Sequence, residues 1–126
     1  MDIRVLIVDD EVEFASALAE RLTLRKYEAS AAYNAADAIA LVKSSPPDVV
    51  LLDLRMPGLG GFEVLKAIKG FDSTIEVILL TGQPKADGIG EGIPTGLFDY
   101  IMKPVEITEL ITMINNASEK RGRSRQ

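Results

Sequence analysis

Residues with charged or hydroxyl side chains stand directly after short apolar runs along this chain. Five are found in such places: Asp9, Asp10, Asp53, Thr81 and Lys103. Carboxylates that come close together repel one another, and a divalent cation held by oxygen atoms would relieve that repulsion. An ammonium group and a hydroxyl are the donors expected around a phosphoryl group. If folding brings these residues together, they predict a site for metal and phosphate chemistry.

The residue types that are missing exclude several other kinds of site. The 126 residues include no cysteine and no histidine, which excludes disulfides, thiolate nucleophiles, imidazole acid–base catalysis and most zinc sites. A metal ion would have to be held by oxygen, which favours a hard cation. The net charge of −5 makes direct nucleic acid binding unfavourable.

Membrane and export signals are also missing from the sequence. No apolar run approaches the roughly 20 residues of a membrane span. The first residues, Met1 to Arg4, lack the cationic start of a signal peptide and lead straight into a strand-like run. We therefore expect a cytoplasmic protein with no membrane partner.

Apolar runs alternate with stretches of helical periodicity. Residues 3–8, 49–52 and 75–80 are almost continuously apolar, as in strands that are buried on both faces of a parallel sheet. Residues 28–32 and 98–102 are weaker candidates and should lie nearer the edges of the sheet. Apolar side chains at helical spacing start the intervening stretches, at Ala15, Ala38, Val64 and Ile107.

This alternation predicts an α/β fold of five βα units. Short connections favour parallel strands with right-handed crossovers, and hence a doubly wound (βα)5 three-layer sandwich with a flavodoxin-like strand order of 2-1-3-4-5. Asn34 is well placed to cap the second helix. Such sheets bind ligands beyond the carboxyl ends of their strands, and the five residues named first all fall there.

Each of these residues also has an ordinary structural explanation. Asp9 or Asp10 could cap the first helix, Asp53 could belong to a turn, and Lys103 could be a solvated lysine. The prediction of a site therefore depends on their conjunction at one end of the sheet.

Four motifs make the chain similar to a known family. They are VLIVDDE (Val5 to Glu11), VVLLDLRMPGLGGFEVL (Val49 to Leu65), VILLTG (Val77 to Gly82) and FDYIMKP (Phe98 to Pro104). In this order they resemble the receiver domain of two-component response regulators, the CheY-like superfamily. The resemblance covers about residues 3–118.

The resemblance implies a phosphoacceptor signalling domain. Asp53 would accept a phosphoryl group from a sensor histidine kinase or a histidine phosphotransfer protein. Mg²⁺, with Mn²⁺ as an alternative, would be bound by Asp53 and Asp10, by Asp9 through water, and by the backbone carbonyl of Arg55. The domain would not be an enzyme, because it would catalyse only its own phosphorylation and dephosphorylation.

The resemblance also implies a switch. Lys103 would pair with Asp53 before transfer and with the phosphoryl group afterwards, while Thr81 would move to donate a hydrogen bond to another phosphoryl oxygen. Tyr100 would then turn from exposed to buried, although it could also be an edge aromatic without a switching role. The face formed by the fourth helix, fifth strand and last helix would change, and a homodimer could form through it.

Two further features follow from the same resemblance. Arg55 and Gln83 would tune how fast the acyl phosphate hydrolyses, unless both are simply solvated surface residues. The Lys103–Pro104 peptide bond would be cis. The downstream target, the cognate kinase and the lifetime of the acyl phosphate are not encoded in any motif.

Residues 82–96 depart from the family pattern. They include five of the ten glycines of the chain, and each glycine inside a helix costs about 1 kcal/mol relative to alanine. We therefore expect a short, distorted or mobile fourth helix that phosphorylation or a partner orders. A rigid irregular loop is the alternative.

We expect one receiver domain over residues 1–119, with a basic tail or the start of a linker at residues 120–126. The chain could be a free-standing regulator or the receiver fragment of a larger protein. Two other functions stay open: a degenerate receiver used only for docking, and a Mg²⁺-dependent phosphatase. The phosphatase is disfavoured because such enzymes usually place two aspartates one residue apart after the first strand, whereas Asp9 and Asp10 are adjacent.

Overall fold

Strands and helices alternate along the chain in a computed structural model that describes residues 2–56, 58, 60–87 and 96–125. The strands are β1 (Arg4–Val8), β2 (Glu28–Ala32), β3 (Val49–Asp53), β4 (Glu76–Thr81) and β5 (Leu97–Met102). The helices in these ranges are α1 (Val12–Leu24), α2 (Ala35–Ser44), α3 (Gly61–Phe71) and α4 (Ile107–Ser124). None of these four helices has the length and apolar character needed to cross a bilayer.

The five strands form one parallel sheet in the order β2-β1-β3-β4-β5. This confirms the predicted fold class and strand order. The almost continuously apolar runs are the three central strands, and every residue of β3 and β4 is buried. The two weaker candidates, β2 and β5, form the edges, where one side of each strand has no neighbour in the sheet and burial is incomplete.

Side chains that alternate along the strands build two separate cores. In β1, Val5 and Ile7 pack with α1 and α4, whereas Leu6 and Val8 pack with α2 and α3. Successive side chains of a strand point to opposite faces, so a continuously apolar strand supplies both layers. The helices therefore cover the sheet on two sides and fix the ends of its strands in place.

The start of α2 agrees with the sequence. The side chain of Asn34 accepts a hydrogen bond of 2.8 Å from the backbone N–H of Asp37, as expected for the cap of α2.

The predicted fourth helix falls mainly on residues 88–95, which lie outside the described residues. Residues 84–87 form a turn after β4, and the ordering of the segment stays a prediction.

The last helix extends further than the sequence indicated. The boundary predicted after residue 119 falls inside α4, and the basic tail predicted from residue 120 is helical as far as Ser124. The physical reason is Arg121, which is only 5% exposed. Its guanidinium donates to Asp48 at 2.8 Å and to Asp72 at 3.2 Å, which ties the end of α4 to the amino ends of the strands.

Replacing Arg121 by alanine should lower the free energy of unfolding by roughly 2 kcal/mol. Breaking a fully buried ion pair costs about 3–5 kcal/mol, and we expect less because Asp48 and Asp72 keep some contact with water. Urea unfolding followed by circular dichroism measures the loss. Arg123→Ala, at an exposed position of the same helix, is the control, and equal stabilities of the two variants would contradict the assignment.

Candidate functional site

The carboxyl ends of the strands bring the predicted site residues together. Asp9 and Asp10 follow β1, Asp53 ends β3 and Thr81 ends β4, while Lys103 comes directly after β5. Carboxylate oxygens of Asp9, Asp10 and Asp53 lie within 4.8 Å of one another. Asp9 is fully buried and Asp53 is 6% exposed, whereas Asp10 faces solvent. The three aspartates of the predicted site therefore form one cluster in space.

Close packing behind Asp53 holds this residue in place. A Cβ atom on Gly61 would lie 2.7 Å from the Cα atom of Leu54, so only glycine lets α3 begin this close to the end of β3. The N–H group of Arg55 donates a hydrogen bond of 3.2 Å to Oδ1 of Asp53. Within the described residues, Oδ2 of Asp53 accepts no hydrogen bond, which leaves one carboxylate oxygen available for chemistry.

The ammonium group of Lys103 reaches across the site, but its nearest partner differs from the expected one. Nζ lies 2.8 Å from Oδ2 of Asp9, 3.3 Å from Oε1 of Glu11 and 4.0 Å from Oδ1 of Asp53. The direct pairing with Asp53 that the resemblance implies is thus only a distant contact. The physical reason is burial, because the fully buried carboxylate of Asp9 has the greatest need of a counter-charge.

The electrostatics of the cluster are unfavourable for a charged Asp53. Burial, reinforced by the charges of Asp9 and Asp10, raises the pKa of Asp53 to about 6, although the hydrogen bond from Arg55 and the charge of Lys103 oppose the increase. Burial alone would lower the pKa of Lys103, but its hydrogen bond to Asp9 and the nearby carboxylates raise it. Negative charge is therefore in excess around Asp53.

This donor set fits a hard divalent cation. All the ligands offered are carboxylate oxygens, which such ions prefer, and an added positive charge would relieve the repulsion among them. Both oxygens of Asp9 already accept protein hydrogen bonds, one from Lys103 and one from the N–H of Glu11. Asp10 and Asp53 are the freer ligands of the three.

A second group of contacts surrounds Thr81. Its hydroxyl donates to Oδ2 of Asp87 at 2.5 Å and accepts from the N–H of Gln83 at 3.1 Å. The guanidinium of Arg55 binds the other oxygen of Asp87, with Nη2 at 2.7 Å and Nε at 2.8 Å. Arg55 and Gln83 are thus joined to the site through Thr81 and Asp87, although the side chain of Arg55 remains 60% exposed.

The remaining predicted residues lie near the same rim. The Lys103–Pro104 peptide bond is cis, the isomer that the resemblance implies. Tyr100 is partly buried and packs against the core that contains Met56 and Leu79. The ring is thus neither fully exposed nor fully buried in this structure, and its turn from exposed to buried stays a prediction.

Three residues contact the site that sequence reasoning did not single out. Glu11 binds Lys103, and the ring of Phe14 lies 4.7 Å from the same ammonium group. Asp87 binds Thr81. Glu11 stands within the first motif and could have been noticed there, whereas Asp87 sits in the glycine-rich segment with no spacing signal to indicate its role.

Residues 5–115 match the family model described as the response regulator receiver domain. This chain belongs to that family. Receiver domains of response regulators are the phosphoacceptors of two-component systems, and they interact with histidine kinases or phosphotransfer proteins.

Relatives with curated descriptions agree with the family assignment. Sporulation initiation phosphotransferase F of Bacillus subtilis is 36% identical over 110 residues, which cover 87% of this chain and 89% of that protein. Transcriptional regulatory protein PrrA of Mycobacterium leprae is 32% identical over 94% of this chain. The chain spans 51% of PrrA and 25% of the regulatory protein AtoC of Escherichia coli, so it matches only a part of these longer proteins.

Solved structures show the same architecture. A response regulator receiver domain protein from Clostridium thermocellum has a TM-score of 0.87 at 29% identity, covering 95% of this chain and 97% of that one. The receiver domain of NtrX from Brucella abortus has a TM-score of 0.83 at 30% identity, covering 91% and 98%. The whole sheet and its helices are therefore shared with receiver domains.

Replacing Asp53 by asparagine should stabilise the metal-free protein near pH 8 but have little effect near pH 4. The pKa of Asp53 is raised from 3.8 to about 6, so the folded state binds this proton more tightly than the unfolded state. Stability is then lost as the pH rises through this range, and the gain at pH 8 should be on the order of 3 kcal/mol. Urea unfolding in a chelating buffer measures it, and an equal gain at both pH values would contradict the assignment.

Proposed function

We propose that this chain accepts a phosphoryl group on Asp53 from a phosphohistidine of a partner protein. The observation that supports it best is the position of the Asp53 carboxylate, which lies beside two further aspartates and the ammonium group of Lys103. Only Oδ1 of this carboxylate accepts a hydrogen bond within the described residues. No histidine exists on this chain, so the phosphohistidine must belong to the partner.

A divalent cation, Mg²⁺ or Mn²⁺, belongs to this proposal. Asp10 and Asp53 would bind it directly, Asp9 through water, and the backbone carbonyl of Arg55 would complete the protein ligands. When bound, it would neutralise negative charge that develops on the transferring phosphoryl oxygens. The excess of negative charge around Asp53 is what supports a cation at this position.

In the transfer step, a carboxylate oxygen of Asp53 attacks the phosphorus atom. The new bond joins oxygen to phosphorus, and the phosphorus–nitrogen bond of the donor breaks with its electron pair remaining on the imidazole nitrogen. Lys103 would shift from Asp9 towards a phosphoryl oxygen. Its Nζ atom already lies 4.0 Å from Oδ1 of Asp53, and its flexible side chain allows the shift. The hydroxyl of Thr81 would donate a hydrogen bond to another phosphoryl oxygen.

Hydrolysis returns the domain to its starting state. Water attacks the phosphorus atom of the acyl phosphate, inorganic phosphate leaves, and the carboxylate of Asp53 is restored. The protein thus acts only on itself and is not an enzyme for a separate substrate. Arg55 and Gln83, at the rim beside Asp53 and Thr81, would tune how readily the water molecule attacks.

Thr81 and Tyr100 would transmit the effect of phosphorylation from the site to the surface of the domain. A phosphoryl group adds roughly 1.5–2 negative charges, and the movement of Thr81 towards it would let the ring of Tyr100 go deeper into the core. The face of β5 and α4 would then present a different surface to a downstream target, or to a second copy of the chain.

Incubation with acetyl phosphate and Mg²⁺ should add the mass of one phosphoryl group to the wild-type protein. The Asp53→Ala variant should gain none, because it lacks the nucleophile, while the Glu13→Ala variant should behave like wild type. Intact mass spectrometry is the readout. A wild-type protein that binds Mg²⁺ but is never modified would favour the docking module instead, and steady turnover of small phosphate esters would favour the phosphatase.

Replacing Asp10 by alanine should weaken Mg²⁺ and Mn²⁺ binding by about tenfold or more. Loss of a supporting hydrogen bond at a metal site already costs roughly 10- to 100-fold in affinity, and Asp10 is proposed as a direct ligand. Isothermal titration calorimetry measures both ions, with Glu13→Ala again as the control. Unchanged affinity in the Asp10 variant would remove this residue from the ligand set.

A further inference from the structure

The hydroxyl of Thr81 is already occupied. A threonine hydroxyl has one proton to donate, and here that proton goes to Oδ2 of Asp87 at 2.5 Å. The acceptor side of the same oxygen takes the N–H of Gln83 at 3.1 Å. Thr81 therefore cannot donate to a phosphoryl group on Asp53 until it gives up Asp87.

The carboxylate of Asp87 is firmly held. Its side chain is only 4% exposed, and a buried carboxylate is tolerated when both oxygens have good partners. Thr81 satisfies Oδ2, while the guanidinium of Arg55 satisfies Oδ1 through two close nitrogens. A charge-assisted hydrogen bond from a hydroxyl to a buried carboxylate is stronger than one between neutral groups, so the contact resists exchange.

We propose that Asp87 is an internal competitor of the phosphoryl group for the hydroxyl of Thr81. It is a positioning residue that keeps Thr81 in the unphosphorylated arrangement, and this inference rests on the proposed function of Asp53. Phosphorylation would exchange one hydrogen bond for another: the one from Thr81 to Asp87 breaks and one from Thr81 to a phosphoryl oxygen forms. Asp87 would keep Arg55 as its counter-charge.

The competition lowers the fraction of molecules that are ready to stabilise a phosphoryl group. Removing a competitor raises the apparent affinity or rate by the inverse of that fraction. In the Asp87→Ala variant, phosphorylation by acetyl phosphate with Mg²⁺ should therefore be about three- to tenfold faster than in wild type. Asp87→Asn, which keeps the size of the side chain but binds the hydroxyl more weakly, should lie between the two and serves if the alanine variant does not fold.

Charge alone could also speed the reaction, because Asp87→Ala removes one negative charge from a chain whose net charge is −5. Glu13→Ala removes the same charge from an exposed position of α1, where Glu13 makes no side-chain hydrogen bond or ion pair with the rest of the described chain. Its rate should equal that of wild type. A matching acceleration in the Glu13 variant would show that net charge, and not the contact with Thr81, sets the rate.

Variants of Thr81 test the route directly. In a Thr81→Ala background, which lacks the hydroxyl, Asp87→Ala should change the rate by less than about twofold. In a Thr81→Ser background, which restores the hydroxyl, the acceleration should return. Acceleration that persists in the Thr81→Ala background would overturn the inference.

A measurement without metal or phosphate completes the test. In the metal-free protein, three-bond couplings measured by nuclear magnetic resonance should show one side-chain rotamer for Thr81 in wild type and rotamer averaging in Asp87→Ala. A fixed rotamer in both proteins would overturn the inference. If wild type is phosphorylated on Asp53 and Asp87→Ala matches its rate, the inference that Asp87 competes for Thr81 is wrong and the proposed function stands. A wild-type protein that is never phosphorylated would contradict both the inference and the proposed function.

Discussion

Repulsion among the carboxylates of Asp9, Asp10 and Asp53 is the constraint on which this site depends. The fold brings these groups together because β1 and β3 are neighbours in one parallel sheet. The buried side chains of both strands fix their register. A single ammonium group, that of Lys103, offsets only part of the charge, and it lies closest to Asp9. What remains is a pocket of negative charge that would attract a divalent cation and place it beside a nucleophilic oxygen.

The two ends of the sheet differ in how well their acidic groups are balanced by basic ones. At the amino ends, Arg121 is shared by Asp48 and Asp72, and the buried Glu76 lies 3.1 Å from both Lys69 and Lys120. These acidic groups have basic partners, so that end contributes stability. At the carboxyl ends the acidic groups outnumber the basic ones, so that end is available for chemistry.

Patterns along the chain were enough to predict most of the fold. The continuously apolar runs gave the central strands, the weaker runs gave the edges, and Asn34 marked the start of α2. Placing the carboxyl ends of those strands side by side was then enough to predict that Asp9, Asp10, Asp53 and Lys103 lie close together. Thr81 ends the neighbouring strand β4. These are properties of backbone periodicity and strand order, which local sequence determines strongly.

Contacts between side chains of distant segments were beyond the reach of such patterns. The preference of Lys103 for Asp9 depends on which carboxylate is more deeply buried, and the binding of Asp87 to Thr81 depends on the path of an irregular turn. The burial of Arg121 required partners 49 and 73 residues away, which nothing in the basic run itself indicates. These contacts depend on three-dimensional packing, which local sequence patterns do not describe.

The identity of the nucleophile is the central claim, and reductive trapping tests it most directly. Borohydride converts an aspartyl phosphate into homoserine, so protein treated with acetyl phosphate and Mg²⁺, then reduced and digested, records the modified position in its peptide masses. We expect homoserine at position 53 and at no other aspartate. Homoserine at position 9 or 10, or modification that survives in Asp53→Ala, would contradict it.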